Sequence, residues 1–149
     1  MSVEFVGIER RLDELSERLA RLRPLRNRAR SEFDGDPYLR DIVERNLEVA
    51  VRCGIDVSHR IISVEGAQKP LNYYGAILQM GELGVLPPSF ARDLAPLAGF
   101  RNVLVHEYLA LDWDTVYRVL HRLEDLERFA KLVRPWLASN PSAGEPLNH

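Results

Sequence analysis

Residues 36–65 read DPYLRDIVERNLEVAVRCGIDVSHRIISVE, and their apolar side chains recur at the three- and four-residue spacing of an α-helix. Asp36 before Pro37 is typical of a helix start, because aspartate caps free backbone N–H groups and proline fits the first helical position. This stretch therefore predicts a long core helix that begins at Pro37 and ends near Glu65. Asn46 lies on the apolar stripe, so we expect its amide to have a hydrogen-bonding partner if it is buried.

Helical spacing also dominates the chain before this segment, and no strand-like alternation stands out anywhere. A short heptad stripe marks a first helix over about residues 3–30, which Pro24 should kink or end. The stripe consists of Ile8, Leu12, Leu15, Leu19 and Leu22. Residues 31–38, SEFDGDPY, are predicted to form a turn.

Three further helices are predicted after the core helix. Asn72 caps one, and Ser89 caps the next, in which Pro96 should cause a kink or a restart. The last helix follows the stretch LDWD at 111–114 and carries an apolar stripe that reaches Leu137. The sum is an all-α fold, a five-helix up-and-down bundle.

The size and composition of the chain are those of an ordinary globular protein, with 149 residues, 46% of them hydrophobic and 28% charged. We predict one helical domain over residues 1–138 and a flexible C-terminal tail over residues 139–149. Cys53 is the only cysteine, which excludes an internal disulfide and predicts a buried, inert thiol. The chain shows no secretory signal and no run long enough to span a membrane, so we expect a cytoplasmic protein.

The formal net charge of −2 argues against a protein that coats nucleic acid by bulk attraction, although a local basic site remains possible. All of the 20 basic residues except Lys69 and Lys131 are arginines, which mildly favours fixed ion pairs or phosphate contacts. The base composition of the genome explains the preference for arginine over lysine without any functional role, and it is the favoured explanation. The arginine-rich stretch RLRPLRNRAR at 21–30 could contact phosphate, but a solvated face near a helix C-terminus explains it better.

Residues 100–108, FRNVLVHEY, place titratable and polar groups inside an apolar, helix-like run. At about 100° per residue, Arg101 and Tyr108 fall about 20° apart, and Asn102 and His106 about 40° apart. Phe100, Val103 and Leu104 lie on the opposite side and are expected to pack into the bundle, so the polar arc faces outward. Arg101 and His106 are about 140° apart on a straight helix. The two side chains can therefore meet on one substrate only through the length of arginine, a helix distortion or a second copy of the chain.

These groups suit metal-free cleavage of RNA. The ribose 2′-hydroxyl attacks its own phosphate, His106 assists proton transfer, and Arg101 stabilises the charge that builds on phosphorus. Asn102 can orient the imidazole or donate to an oxyanion. An exposed helix face with no catalytic role explains the same spacing, and from spacing alone it is the more common case. The four histidines are far apart in sequence and form no metal-ligand spacing.

The ordered set of motifs resembles HEPN-domain proteins, in the branch of HepT-like toxins. Arg101, His106 and Tyr108 match the Arg-x4-His-x-Tyr signature of that family, and Asn102 takes the polar position after the arginine. The core-helix sequence, the LGVLP turn and an aspartate-rich turn after the motif follow in the same order. The resemblance covers most of residues 36–138.

The resemblance implies an all-helical homodimer in which the motifs of two subunits share a cleft. It implies the toxin of a type II toxin–antitoxin pair, a ribonuclease with Arg101 and His106 as catalytic residues and Asn102 as a supporting candidate. The implied partner is an MNT-type nucleotidyltransferase antitoxin. In some pairs that partner uses ATP and Mg²⁺ to transfer AMP onto the motif tyrosine, here Tyr108. Cleavage itself is expected to need no cofactor and no metal.

A second hypothesis is a non-catalytic, all-α dimeric HEPN module that binds a nucleotide or a partner's phosphates. The net charge of −2 lends RNA binding no independent support. Both hypotheses assign the same helix face to the functional surface, so they differ in turnover and not in location.

Overall fold

A computed structural model of the chain describes residues 3–106 and 111–139. All the regular structure in these residues is helical, which confirms the all-α prediction. Eight helical segments are present where five helices were predicted. They are α1 (Val3–Leu22), α2 (Arg30–Asp34), α3 (Pro37–Val64), α4 (Tyr73–Glu82), α5 (Pro88–Leu94), α6 (Pro96–His106), α7 (Trp113–Leu120) and α8 (Leu123–Ser139).

The heptad stripe of α1 is fully buried, as its spacing predicted, and it packs against α3. All five of its residues belong to the single hydrophobic core cluster of the described chain. The helix ends at Leu22, two residues before Pro24, because proline cannot donate the next backbone hydrogen bond. The following residues form turns that lead into α2.

The central helix α3 begins and ends where the sequence predicted. The Asp36 carboxylate accepts hydrogen bonds from the backbone N–H groups of Tyr38 and Leu39, each at 3.1 Å. Asn46 is buried, donates to the carbonyl oxygen of Ile42 at 2.8 Å and accepts from the guanidinium of Arg18 at 3.2 Å. The prediction of a partner for this amide is therefore confirmed, and the partner ties α1 to α3.

Three local predictions were wrong. Part of the predicted turn at 31–38 is helical, because α2 buries Phe33 against the core. Ser89 does not cap α5, since Pro87 takes the N-cap position and Pro88 starts the helix with a backbone already close to helical. The helix predicted to run to Leu137 is divided between α7 and α8.

The division between α7 and α8 lies at residues 121–122. The His121 Nδ1 atom lies 2.8 Å from the carbonyl oxygen of Tyr117, and the backbone tightens into three-residue hydrogen bonds there. The N–H groups of His121 and Arg122 donate to Arg118 and Val119 at 3.1 and 2.9 Å. The apolar spacing continues across this turn, so the sequence pattern carried no sign of the break.

Other predictions are confirmed. Asn72 caps α4 by accepting from the N–H of Gly75 at 2.7 Å, and α6 restarts at Pro96. Cys53 is buried, and burial raises the pKa of its thiol to about 11, with Glu14 and Asp56 adding to the effect. The thiol is therefore neutral at physiological pH and behaves as a small core residue. The predicted tail falls on residues 140–149, outside the described residues, apart from Ser139, which ends α8.

Replacing Leu15 with alanine should lower the free energy of unfolding by about 2–5 kcal/mol, because a fully buried leucine leaves a cavity between α1 and α3. Leu71→Ala is the matched control, since that leucine is 98% exposed and should change the value by less than about 0.5 kcal/mol. Urea denaturation of both variants measures the difference. Equal midpoints for the two variants would contradict the placement of α1 in the core.

Candidate functional site

Helix α6 carries the motif with the orientation that the helix phase predicted. Phe100 and Leu104 are buried in the core, whereas Asn102 is exposed. Pro96 starts the helix and its short length of 11 residues places Arg101 in the middle, opposite α3. The packing of the apolar back thus fixes which way the polar arc faces.

The Arg101 side chain is only 18% exposed, although it lies on the polar arc. Its guanidinium lies over the ring of Tyr73 from α4 in a cation–π contact, with 5.7 Å between the guanidinium carbon and the ring centroid. Its Nη2 atom lies 3.8 Å from the Glu48 carboxylate on α3. The Arg101 Nε atom is buried and has no hydrogen-bond partner among the described residues. Arg101 is therefore held in place yet keeps an unused donor.

An open groove lies between α3 and α6, with a volume of about 520 Å³. We call it the α3–α6 groove. Its lining contains three arginines, three carboxylates and one leucine, namely Arg45, Arg52, Arg101, Asp41, Glu44, Glu48 and Leu104. The formal charges cancel, so any anion that binds here depends on the placement of guanidinium donors and not on net charge.

Glu48 lies at the centre of the three arginines. The residue is 8% exposed, which is unusual for a carboxylate, and its Oε2 atom accepts from Arg45 Nη1 at 3.0 Å. Its Oε1 atom lies 3.5 Å from Arg52 Nη1 and 3.8 Å from Arg101 Nη2. The Glu44 carboxylate is engaged elsewhere, because it accepts from Trp113 Nε1 at 2.8 Å. One buried carboxylate thus serves three cations of the groove.

Sequence reasoning missed Glu48, Arg45 and Arg52. Their spacing on α3 places an arginine three residues before the glutamate and another four residues after it. This is the usual spacing of exposed ion pairs on a helix, so the pattern alone gives no reason to single them out. Only the approach of Arg101 from α6 distinguishes the cluster from a solvated face.

Two of the four predicted site residues, Arg101 and Asn102, lie in the described structure with their side chains. The backbone of His106 is the last described position of α6, and its side chain lies outside the description. Tyr108 also lies outside the described residues. The catalytic roles of Arg101, His106 and Asn102, and the acceptor role of Tyr108, stay predictions.

The arginine-rich stretch at 21–30 does not form a free cationic surface. Arg23 pairs with Glu127 at 2.7 Å, Arg26 with Glu124, and Arg30 with Asp114 at 2.9 Å. The two remaining arginines of the stretch, Arg21 and Arg28, pair with glutamates on the same segment. The interpretation as a phosphate-binding surface is weakened, because each guanidinium already has a carboxylate and three of them fasten this stretch to α7 and α8.

Within 3–106 and 111–139, no group of three or more His, Cys, Asp or Glu side chains is arranged to hold a metal ion. In the same part of the chain, no helix combines the length and apolar character needed to cross a membrane.

A family model described as Ribonuclease HepT-like matches residues 11–133. The chain belongs to this family. HepT-like ribonucleases are thus its class, and the motif on α6 and the α3–α6 groove both lie within the matched residues.

Two curated proteins of this class are similar to the chain. It is 29% identical over 119 residues to a tRNA nuclease HepT of Aphanizomenon flos-aquae, covering 80% of this chain and 81% of the relative. It is 28% identical over 105 residues to an mRNA nuclease HepT of Shewanella oneidensis, covering 70% and 79%. The two relatives act on different RNA classes by name.

Solved structures share the fold. A Bacillus subtilis protein, YutE, described as cytosolic and of unknown function, superposes with a TM-score of 0.79 at 20% identity, covering 95% of this chain and 94% of that one. A tri-AMPylated Shewanella oneidensis HEPN toxin in complex with an MNT antitoxin superposes with a TM-score of 0.73 at 23% identity, covering 91% and 99%. At these identities the structures establish the helical fold alone.

Proposed function

We propose that this HepT-like ribonuclease is the toxin of a type II toxin–antitoxin pair and cleaves RNA internally without a metal ion. The observation that carries the proposal is the position of Arg101, which lines an open groove together with two more arginines. Family membership supplies the reaction class, and the groove supplies a place where a phosphodiester can meet guanidinium donors.

The proposed reaction is an internal transfer. The 2′-hydroxyl oxygen of the substrate forms a bond to the adjacent phosphorus while His106 removes its proton. The bond from phosphorus to the 5′-oxygen breaks, and that oxygen takes up the proton that His106 returns directly or through water, so the products are a 2′,3′-cyclic phosphate and a 5′-hydroxyl end. Arg101 stabilises the negative charge that builds on the phosphate oxygens, and Asn102 supports the orientation of the imidazole. DNA lacks the attacking hydroxyl and is not a substrate.

A homodimer completes this site in the proposal. On a straight helix Arg101 and His106 point about 140° apart, and five residues separate them along the axis by about 7.5 Å. A second subunit across a two-fold axis brings the histidine of one chain towards the arginine of the other. The dimeric complexes implied by the family resemblance support this arrangement.

The proposed partner is an MNT-type nucleotidyltransferase antitoxin that transfers AMP from ATP, with Mg²⁺, onto the Tyr108 hydroxyl. The solved AMPylated toxin with its MNT antitoxin supports this assignment by likeness. Tyr108 lies seven residues after Arg101, so on a continued helix both share a face. AMP on that hydroxyl adds a bulky anion beside the phosphate site and repels the RNA backbone.

The non-catalytic binding module remains a second candidate, because one observation favours it. Arg101 is already engaged by the Glu48 carboxylate and the Tyr73 ring, and the formal charges of the groove cancel. A groove of this kind can bind a nucleotide phosphate without turning it over. Turnover of a defined RNA distinguishes the two candidates.

Arg101→Ala and His106→Ala should each lower the cleavage rate of a defined RNA at least about 100-fold, since each removes a group needed only in the transition state. The assay contains EDTA, and the wild-type product should carry a cyclic phosphate. Circular dichroism confirms folding, and Arg92→Ala, an exposed arginine on α5, is the control. Parental rates in both variants would contradict the catalytic assignment, and tight RNA binding without any wild-type product would favour the binding module.

Mixing folded Arg101→Ala and His106→Ala subunits after mild dissociation should restore part of the activity. A mixed dimer contains one site with both wild-type groups if arginine and histidine come from different subunits. The mixture is compared with each variant treated alone. A mixture that stays inactive although mixed dimers form would show that each subunit supplies both groups of its own site.

Tyr108→Phe should abolish incorporation of labelled AMP from ATP by the cognate nucleotidyltransferase, because the acceptor hydroxyl is removed. RNA cleavage by the same variant should remain within about threefold of the parent, since the proposed chemistry does not use that hydroxyl. Tyr74→Phe, which removes a hydroxyl from an exposed tyrosine on α4, is the matched control. Full incorporation into the Tyr108 variant would place the acceptor elsewhere.

A further inference from the structure

We propose that Glu48 is a positioning residue for RNA cleavage, and that it gathers Arg45, Arg52 and Arg101 into one cradle for the RNA backbone. This inference rests on the proposed function. Arg101 touches the scissile phosphate, Arg45 and Arg52 take neighbouring phosphates, and Glu48 acts through the arginines.

Glu48 is buried although it is a carboxylate. A carboxylate that is 8% exposed on the core helix is costly unless several donors satisfy it. Three guanidinium groups lie within 3.0–3.8 Å of its two oxygens. Arg45 and Arg52 reach this carboxylate from its own helix, whereas Arg101 reaches it from α6, so Glu48 joins the two walls of the groove.

Arg101 is held from two sides. The Tyr73 ring lies over one side of the guanidinium, and the Glu48 carboxylate attracts its Nη2 edge. At 3.8 Å the Glu48 contact is longer than a hydrogen bond, so the carboxylate attracts Arg101 without saturating its donors. The buried Nε–H stays unpaired among the described residues. Arg101 itself lines the groove, so its guanidinium can donate to a phosphate oxygen that enters there.

The two outer arginines are spaced along one face of α3. Arg45 and Arg52 are seven residues apart, so they lie on the same face about 10 Å apart along the helix axis. Their side chains are 64% and 42% exposed, in contrast to Arg101. Their side chains can therefore change conformation to contact a flexible RNA strand, while Arg101 remains fixed. Because the fixed and the mobile arginines have different roles, substitutions of Glu48 and of the outer arginines should have different kinetic effects.

Glu48→Gln should lower kcat for RNA cleavage about 10- to 100-fold, because Arg101 loses the contact that orients it towards the scissile phosphate. KM should stay unchanged or fall, since the groove loses one negative charge and attracts RNA more strongly. The matched control is Asp56→Asn on the same helix, which breaks a contact of 3.7 Å to Arg11 outside this groove. Its kcat should stay within about twofold of the parent.

A purely structural Glu48 would lower the melting temperature and leave kcat of the folded protein unchanged. A kcat of Glu48→Gln within about twofold of the parent, or above it, would therefore overturn the inference. If Arg101→Ala is inactive in the same assay, that result leaves the proposed function standing. If Arg101→Ala is fully active, the proposed function fails first.

Arg52→Ala keeps the test decisive even if Glu48→Gln does not fold. It should weaken RNA binding and reduce the slope of log affinity against log salt by about one, as one phosphate contact is lost. Arg134→Ala is the control, because its side chain is also 42% exposed and pairs with Asp13 away from the groove. Equal affinities and slopes for the two variants would overturn the cradle.

Discussion

The fold depends on burying α3, a helix of 28 residues that contacts α1, α2, α4, α6, α7 and α8. A helix surrounded in this way must be apolar on most of its faces, and its polar residues must find partners inside the molecule. Asn46, Glu48 and Ser58 are the buried polar residues of the described chain, and all three lie on α3. Ser58 is satisfied by the carbonyl oxygen of Gly54, while Asn46 and Glu48 recruit arginines.

The sequence predicted the parts of the fold that depend on local chemistry. The stripe of α1 follows from spacing along a single helix, and the Asp36 cap and the restart at Pro96 each follow from a few neighbouring residues; all three were confirmed. The Ser89 cap, which is also a local prediction, was wrong because Pro87 and Pro88 start α5. The break at His121 was missed, because a turn that preserves apolar spacing leaves no mark on the pattern. The helix α2 was missed because Phe33 packs against Trp113 and Tyr117, which are distant in the sequence.

In the candidate site, too, the sequence predicted the relations within one helix and missed the contacts between helices. Helix phase alone indicated that Arg101 and Asn102 lie opposite Phe100 and Leu104, because that relation depends on one helix. It indicated nothing about Glu48, which is more than 50 residues away in the sequence. The partners of long side chains are determined only when the helices pack together. The sequence spacing of an exposed ion-pair pattern is therefore the same as that of a functional cluster.

Arginine has two different uses in this molecule, and the number of carboxylates available to each arginine distinguishes them. In the stretch 21–30 each of the five guanidinium groups meets at least one carboxylate, and three of the arginines fasten the chain to α7 and α8. In the α3–α6 groove three guanidinium groups share Glu48, and Arg101 keeps a buried donor without a partner in the described structure. A guanidinium has five donors in a rigid fork, so one carboxylate cannot satisfy three of them. A buried Nε without a partner among the described residues also occurs at Arg30 in the stretch, so the sharing of Glu48 by three arginines is the feature that distinguishes the groove. A phosphate that binds in the groove can add hydrogen bonds to guanidinium donors that one carboxylate leaves unpaired.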